Sequence, residues 1–388
     1  MDRILEMYPA KVDKDLIISQ EYGWACQTDM GIKINYGEKY FKNYVGMKGT
    51  EIGRKILSSR YKLILNHIKK NEKIIDIGIG SGEFLEKCPV ECWGDDVNRY
   101  AQESLKKMGR YYDMGSEKEF GHFKGFCMWD VLEHIDIPEL LFRKIPKDRL
   151  LFVSIPIFHD ILKVRESKHY KPGEHLYYFT LRAFIEFMFD HGFSLVECDN
   201  GEILSGREEI YSFVFKKDLP TYHELLEMYQ EIHDSESYGE TSAEFIPDIL
   251  RELAKKPMLK SILDYGCGRS DLLAHCYGDG SRKLYKYDPA IPKYKEMPPA
   301  AIDLVLCNDV MEHIYKRDIG DVFQNIKSKS NNVFFSISTK PARKRLPNGM
   351  NAHVNIMPKE WWMHVIKRAF GQFQFVRDYS VGFVCKTF

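Results

Sequence analysis

The sequence predicts an α/β fold in which one domain occurs twice in tandem. Two motifs recur in the same order: a D-x-G-x-G run that begins at Asp76 returns at Asp264, and an E-H-I run that begins at Glu133 returns at Glu312. The offsets, 264 − 76 = 188 and 312 − 133 = 179, are similar, so the copies share both order and spacing. Such self-similarity indicates a duplicated domain rather than two chance matches.

Apolar, strand-like runs alternate with helical patterns in both copies, which is typical of a mostly parallel sheet with helices on both faces. In the first copy the strands are predicted near Lys73–Ile77, Glu91–Gly94, Gly125–Trp129, Leu150–Ser154, Phe193–Glu197 and Ile210–Phe215. In the second copy they are predicted near Ser261–Tyr265, Lys283–Tyr287, Ile302–Cys307, Asn332–Ile337, Phe373–Arg377 and Val381–Thr387. The last two runs of each copy lie close together, as in a hairpin that closes the sheet.

The chain has 388 residues, a length that favours two domains. We predict a first domain over residues 1–218, in which a partly helical cap rich in Tyr and Gly, up to about residue 60, precedes the first strand. We predict a second domain over residues 219–388, which begins with a helical linker at roughly Tyr222–Lys256.

Composition argues against several classes of protein. Lys+Arg and Asp+Glu number 56 each, so the chain has no overall field that would attract nucleic acid or an anionic membrane. The nine scattered cysteines include no paired C-x-x-C motifs, which favours free thiols in a reducing compartment over a disulfide framework or a zinc site. The first 18 residues do not read as a signal peptide, and no apolar run is long enough to span a bilayer. We therefore expect a cytoplasmic protein with no membrane partner and no metal site.

A glycine-rich turn follows the first strand of each copy. In the first copy Gly78, Gly80 and Gly82 come after the strand and lead into a helix from about Glu83. Glycines allow a tight turn and a close backbone approach to a ligand. A dinucleotide site needs a third glycine where Glu83 stands, and Asp271 occupies that place in the second copy. Because a carboxylate there would repel pyrophosphate, the pattern favours a positively charged ligand without phosphate.

The second strand of each copy is followed by an acid that can accept hydrogen bonds from ribose hydroxyls. Asp96 lies 96 − 76 = 20 residues after Asp76, and Asp288 lies 288 − 264 = 24 residues after Asp264. Asp95 is the competing choice in the first copy.

The E-H-I run makes the pattern specific. It follows the predicted strands Gly125–Trp129 and Ile302–Cys307. With the glycine turn and the second-strand acid, both copies resemble class I S-adenosylmethionine-dependent methyltransferases of the group that acts on small molecules, sugars and quinones. The first copy adds Ser154-Ile-Pro-Ile and His175-Leu-Tyr-Tyr-Phe-Thr180, which also look like that group. The resemblance covers about Ile56–Lys217 and Ile246–Phe388.

The resemblance implies two Rossmann-like domains with seven-stranded-type sheets and S-adenosyl-L-methionine as cofactor. The residues it implies for cofactor binding are Asp76, Gly78, Gly80, Gly82, Asp96 and Asp130 in the first copy, and Asp264, Gly266, Gly268, Asp288 and Asn308 in the second. Two features of the second copy depart from the group: Ser270 replaces the third glycine, and the third-strand region lacks an acidic residue to meet the adenine. The group's third strand is weak in the first copy and nearly absent in the second.

Transfer to a hydroxyl needs a base, and histidine is the usual one near neutral pH. The candidates are His134, His159, His169 and His175 in the first copy and His313 and His353 in the second. His169 and His175 are predicted on a loop after the fifth strand, at the rim where open sheets bind ligands, whereas His134 and His313 are predicted to open a helix. His353 ends a basic loop with Lys340, Arg343, Lys344 and Arg345, which could grip phosphate.

The predicted function is O-methylation of a small-molecule or glycan acceptor, with one or two active sites. The first alternative is methylation of nucleic acid at ribose or at a modified base. Amino-methylating DNA enzymes need an [NDS]-P-P-[YF] run after the fourth strand, but Asp-Val follows Trp129 and Asn308, and Pro298-Pro299 comes before that strand. The second alternative is one active domain beside a non-catalytic scaffold domain.

Overall fold

A computed structural model of the chain describes residues 2–31, 37–38, 48–115, 120–235, 242–271, 280, 282–298 and 301–388. The chain divides into two compact units, one of Met1–Glu6 with Ala10–Leu219 and one of Met7–Pro9 with Pro220–Phe388. Parts of the predicted cap (32–36 and 39–47), part of the predicted linker (236–241) and Pro299 lie outside the described residues.

The first unit has two sheets. Its strands are β1 (Lys11–Asp13), β2 (Leu16–Ser19), β3 (Trp24–Gln27), β4 (Lys73–Ile77), β5 (Glu91–Asp95), β6 (Phe123–Trp129), β7 (Leu150–Pro156), β8 (Tyr177–Phe179), β9 (Phe193–Asp199) and β10 (Ile210–Lys217). The main sheet has the order β5-β4-β6-β7-β10-β9, in which only β10 runs antiparallel to its neighbours. All six of its strands lie where the sequence predicts them, and β9 and β10 form the closing hairpin.

The helices of the first unit connect these strands. They are α1 (Glu51–His67), α2 (Glu83–Lys87), α3 (Arg99–Lys107), α4 (Pro138–Phe142), α5 (Leu181–Asp190) and α6 (Gly201–Leu204). Helix α1 begins after Thr50, whose side chain accepts a hydrogen bond from the Gly53 N–H, and it buries Leu57, Leu63 and Ile64. Burial of this apolar stripe places α1 beside the core of the main sheet.

The second unit repeats the main sheet. Its strands are β11 (Ser261–Tyr265), β12 (Lys283–Tyr287), β13 (Leu304–Asn308), β14 (Val333–Ser338), β15 (Gln374–Tyr379) and β16 (Gly382–Lys386). Its described helices are α7 (Tyr222–Ser235), α8 (Ile246–Ala254), α9 (Lys316–Lys327) and α10 (Lys359–Phe370). The order β12-β11-β13-β14-β16-β15 is the order of the first sheet, and again only the strand next to the edge, β16, is antiparallel to its neighbours.

Each main sheet therefore has six strands among the described residues, one fewer than a seven-stranded type. In the first unit the missing strand is reduced to one parallel bridge between Gly94 and Tyr111. The Gly94 N–H donates to the Arg110 carbonyl, and the Tyr112 N–H donates to the Gly94 carbonyl, both over 2.9 Å. The weakness of this strand in the sequence thus corresponds to a real shortening of the sheet.

The predicted cap differs from the structure. Residues 11–27 were expected to be part of a partly helical segment, but they form β1, β2 and β3, which pair with β8 in a four-stranded antiparallel sheet. Strand β8 lies about 150 residues later in the chain. A strand that finds its partner at such a distance leaves little local signal, which explains the wrong prediction.

Helix α1 is held to the end of β6 by a group of four charges. Arg60 donates to Glu202 over 2.7 Å and to Asp130 over 3.0 Å, and Arg207 donates to both acids over 2.5 and 2.9 Å. The Glu202 side chain is fully buried, and the Arg60 guanidinium lies 4.8 Å from the Trp129 ring centre. Two cations and two carboxylates balance, so this buried group carries no unpaired charge.

We expect Arg60→Ala to lower the free energy of unfolding of the first unit by about 3 kcal/mol, because it leaves more carboxylate than guanidinium in a buried place. Urea denaturation of the full chain, followed by hydrogen exchange of peptides from β6 and β7, measures the loss. Lys62→Ala, on the exposed side of the same helix, is the control and should change little. Equal midpoints for the two variants would contradict this account.

Candidate functional site

The turn after the first strand of each main sheet requires glycine. Gly78 has φ +75° and Gly266 has φ +71°, a region that other residues rarely adopt. A Cβ on Gly78 would lie 2.6 Å from a methyl of Val131, and one on Gly266 would lie 2.4 Å from a methyl of Val310. The turn that follows β6 in the first unit, and β13 in the second, therefore packs directly on the glycine turn in the same way. The remaining predicted glycines, Gly80, Gly82 and Gly268, also have positive φ.

The acids after the second strand fasten these turns. Asp96 Oδ2 accepts a hydrogen bond from the Gly80 N–H over 3.2 Å, and Asp288 Oδ2 accepts one from the Gly268 N–H over 2.8 Å. The ladder pairs Ile77 with Asp95 and Tyr265 with Tyr287, so Asp96 is the counterpart of Asp288.

Asp95 accepts from the Met114 N–H instead, over 2.9 Å. Burial raises the pKa of Asp96 and of Asp288, whereas the backbone N–H groups that they accept lower it.

Asp76 and Asp264 are buried at the ends of their strands. Asp76 Oδ1 and Asp264 Oδ2 have no hydrogen-bond partner among the described residues. Burial raises the pKa of Asp76 well above its ordinary value and that of Asp264 to about 7. A buried carboxylate oxygen without a partner favours a cationic ligand, because the ligand would offset the cost of burying the charge.

Strands β6 and β13 each end in a second turn with positive φ. The Asp130 N–H donates to the Ser154 carbonyl and the Asp309 N–H to the Ser336 carbonyl, and their φ angles are +59° and +52°. Asp130 and Asp309 are therefore counterparts, and Asn308 corresponds to Trp129.

The two residues predicted here for cofactor binding differ in their surroundings. Burial acts to raise the pKa of Asp130, but Arg207 and Arg60 outweigh it and lower the pKa to about 2. The Asn308 side chain is buried, and neither its oxygen nor its nitrogen has a partner among the described residues.

His134 and His313 do not open helices, as was expected from the sequence. They end short 3₁₀ turns, Leu132–His134 and Met311–His313. The His134 ring lies edge-on to the His175 ring, with centres 4.7 Å apart and planes at 81°. The His313 ring meets the His353 ring in the same way, at 4.8 Å and 82°. Four of the predicted histidines thus form two equivalent pairs.

Glu133 and Glu312 lie beside these pairs, although the sequence pattern assigns no role to either residue. In each unit the carboxylate and the two imidazoles offer atoms that all lie within 4.8 Å of one another. Both carboxyls are buried, and burial raises their pKa well above the ordinary value. Their recurrence in both copies of the E-H-I run was the signal available in the sequence.

The two glutamates differ in one hydrogen bond. The Ser338 N–H donates to Glu312 Oε1 over 2.8 Å. Since Ser154 and Ser336 are counterparts, Pro156 stands where Ser338 stands, and proline has no N–H. Neither oxygen of Glu133 has a partner among the described residues.

Burial also acts on the histidines. It lowers the pKa of His175 and of His313 to about 3, and the neighbouring histidine of each pair adds to the shift. It lowers the pKa of His134 and of His353 as well. All four rings are therefore neutral at physiological pH, with a nitrogen lone pair available.

The other predicted residues lie outside these pairs. His169 Nε2 is 2.9 Å from the Glu208 carbonyl, and His159 is exposed. In the basic loop Lys340 donates to the Ser380 carbonyl and Arg345 to the Gly349 carbonyl. Trp361 and Trp362, at the start of helix α10, are fully buried and pack in the core.

A family model described as a methyltransferase domain matches the chain twice, over residues 50–198 and 238–379. The chain belongs to the methyltransferase-domain family. It is an S-adenosyl-L-methionine-dependent methyltransferase with two such domains in tandem. No curated protein sequence matches it.

Solved structures similar to parts of this methyltransferase include three from the same enzyme class. The glycopeptide N-methyltransferase MtfA complexed with sinefungin is 10% identical, over 42% of this chain and 87% of that one, with TM-score 0.32. Burkholderia thailandensis 1,6-didemethyltoxoflavin-N1-methyltransferase is 13% identical, over 54% and 99%, with TM-score 0.33. A SAM-dependent methyltransferase from Archaeoglobus fulgidus is 18% identical, over 46% and 100%, with TM-score 0.32. Similarity at this level does not identify an acceptor.

The cofactor fits what the residues offer. S-adenosyl-L-methionine has a sulfonium and an amino group but no phosphate, and the unpartnered oxygens of Asp76 and Asp264 suit a cation. The glycine turns leave no Cβ in the way of a ligand. When bound, the cofactor supplies an electrophilic methyl group. Within the described part of the chain, every helix is too short or too polar to cross a bilayer.

We expect cofactor affinity in the second unit to fall about tenfold from pH 8 to pH 6. With its pKa near 7, Asp264 is ionised to about nine-tenths at pH 8 and about one-tenth at pH 6, and only the carboxylate attracts the cation. Lys286 lowers this pKa, and Asp288 adds to the rise that burial causes. Calorimetric titration of the Asp96→Ala chain with cofactor measures the change, because this chain keeps only the second site.

The control for this pH effect is Asp264→Asn in the same Asp96→Ala chain. It should bind more weakly and without the tenfold change, and it also reports any titration of the cofactor itself. Equal affinity at the two pH values in the Asp96→Ala chain would contradict the assigned role of Asp264.

Proposed function

We propose that both domains transfer a methyl group from S-adenosyl-L-methionine to a hydroxyl oxygen of a small-molecule or glycan acceptor. In this reaction the bond from sulfur to the methyl carbon breaks as the bond from oxygen to that carbon forms. The hydroxyl proton leaves to solvent, and S-adenosylhomocysteine remains. Positioning the hydroxyl in line with the methyl group supplies most of the catalysis.

The proposal that both domains bind cofactor is supported by their matched geometry. Each keeps a buried first-strand acid, a glycine turn with positive φ and a second-strand acid bonded to a glycine N–H. Ser270, at the third glycine position, donates its N–H to the Cys267 carbonyl, as Gly82 donates to Ile79. The turn is therefore closed in the same way despite the substitution.

The proposal of an oxygen acceptor is carried by the histidine pairs. In each domain the glutamate and one histidine of the pair follow the turn that packs on the glycines, and the second histidine contacts the first. Neutral imidazoles and a carboxyl therefore accompany the turn that lines the proposed cofactor crevice. Such groups hold a hydroxyl through hydrogen bonds. We assign the acceptor side to His134 and His175 in the first domain and to His313 and His353 in the second, with His169 as the alternative in the first.

We further propose that residues 1–218 function as cap plus first domain and residues 219–388 as linker plus second domain. A cytoplasmic location stays a prediction.

We expect calorimetry to show two cofactor sites per chain. Asp96→Ala should remove one site and Asp288→Ala the other, because each aspartate holds its own glycine turn and is the proposed ribose acceptor. Asp113→Ala is the control, since this half-buried loop acid takes no part in either turn. A single site that disappears only with Asp96→Ala would show that the second domain is a scaffold.

The acceptor class is tested with cofactor labelled in the methyl group. The full chain is incubated separately with catechols, free sugars, nucleosides, amines and transfer RNA, and the products are analysed by mass spectrometry and NMR. We expect methoxy products from hydroxyl compounds, and their loss in the chain that carries both Asp96→Ala and Asp288→Ala. N-methyl products alone, or label in RNA alone, would overturn the proposal.

A further inference from the structure

We propose that each domain binds a divalent transition-metal ion, through Glu133, His134 and His175 in the first domain and through Glu312, His313 and His353 in the second. Among the described residues these are the two groups of three potential ligands that converge on a point. The sequence predicts no metal site on the spacing of its cysteines, which says nothing about these glutamates and histidines.

Backbone carbonyls fix the tautomers of the two histidines in the second domain. His313 Nδ1 lies 2.9 Å from the Ala352 carbonyl and 3.2 Å from the Tyr229 hydroxyl, and His353 Nδ1 lies 2.6 Å from the Lys340 carbonyl. A carbonyl can only accept, so each Nδ1 carries the proton. The lone pair of each neutral ring is then on Nε2, and a backbone contact of this kind fixes a ligand's tautomer and direction.

The first domain offers the same residues with atoms that need a partner. His134 Nδ1, His175 Nδ1 and both oxygens of Glu133 are buried and have no hydrogen-bond partner among the described residues. Glu133 is 1% exposed and His175 is 4% exposed. Leaving a buried carboxylate without partners is costly, and a cation bound between it and the two imidazoles would remove that cost.

The loop that carries His175 is built to stay in place. The Leu176 N–H donates to the Glu133 carbonyl over 2.7 Å, and the Tyr178 hydroxyl donates to the His175 carbonyl over 2.9 Å. The Gln27 side chain, from the antiparallel sheet, donates to the Tyr178 hydroxyl over 2.8 Å. This sheet, which the sequence did not predict, therefore fixes the backbone of one proposed ligand.

The donor set indicates the kind of ion. Two imidazoles and one carboxylate suit Zn²⁺ and neighbouring first-row ions, and leave coordination positions open for water or a substrate oxygen. The three ligand atoms lie within 4.8 Å of one another. Ion-to-ligand distances of about 2.0–2.2 Å would require them to move about 1 Å closer together, a change that small side-chain rotations can produce.

Three potential ligands could come together by chance in one domain, but the same three residue types come together in both. The separations along the chain are 175 − 133 = 42 and 353 − 312 = 41, and the ring geometries agree within 0.1 Å and 1°. The rest of the two loops differs in sequence, so the shared part is the ligand set.

An ion here would give the acceptor hydroxyl a place to bind and would make it easier to deprotonate. That consequence rests on the proposed function, whereas ion binding does not. The test therefore measures the ion alone, without cofactor or acceptor.

The full chain, stripped with chelator, is titrated with Co²⁺ and followed by visible absorption, and Zn²⁺ then displaces the Co²⁺ in calorimetry. We expect two ions per chain. Glu133→Gln and His175→Ala should each leave one ion, as should Glu312→Gln and His353→Ala, and Glu133→Gln with Glu312→Gln should leave none. His122→Ala and His223→Ala, at exposed histidines outside both groups, should keep two.

Circular dichroism and cofactor titration of each variant confirm that it is folded, since the glutamine variants keep the shape of the side chain. Absence of Co²⁺ absorption in the wild-type chain would overturn the proposal. So would two bound ions in the folded chain that carries both glutamine substitutions. Methyl transfer that fails while two ions bind would count against the proposed acceptor and not against the site.

Discussion

The contact between the two turns at the end of each sheet governs the rest of the site. Val131 packs where a side chain on Gly78 would be, and Val310 packs where one on Gly266 would be. Because this contact leaves no room for a Cβ, the first-strand turn must be glycine and must adopt positive φ. The same contact sets the position of Glu133 and Glu312, two residues farther along the chain, relative to the glycine turn.

The two domains keep this contact and differ in the charges behind it. In the first domain Asp130 is bound by Arg60 and Arg207, which hold its pKa near 2. In the second domain its counterpart Asp309 accepts from the Tyr379 and Ser336 hydroxyls, and burial raises its pKa to about 6. The backbone turn thus forms with either arginines or hydroxyls around the aspartate, provided that the buried carboxyl has hydrogen-bond partners.

The regular parts of both sheets could be predicted because their signals are local. All twelve strands of the main sheets, the glycine turns and the repeat itself follow from apolar periodicity and from short motifs. The antiparallel sheet could not, since Trp24–Gln27 pairs with Tyr177–Phe179, and nothing near either strand shows its partner. His134 and His313 were predicted on helices because a 3₁₀ turn and the start of a helix have similar local sequences.

The sequence by itself determined that one methyltransferase-type unit occurs twice, and which acids and glycines stand at its strand ends. Periodicity and motif spacing carry that information, because both depend on residues close together in the chain. Only the tertiary structure decided that Glu133, His134 and His175 converge, and that Glu312, His313 and His353 do so too. Their convergence depends on a loop 41 or 42 residues downstream folding back on the 3₁₀ turn, and packing between distant segments fixes that return.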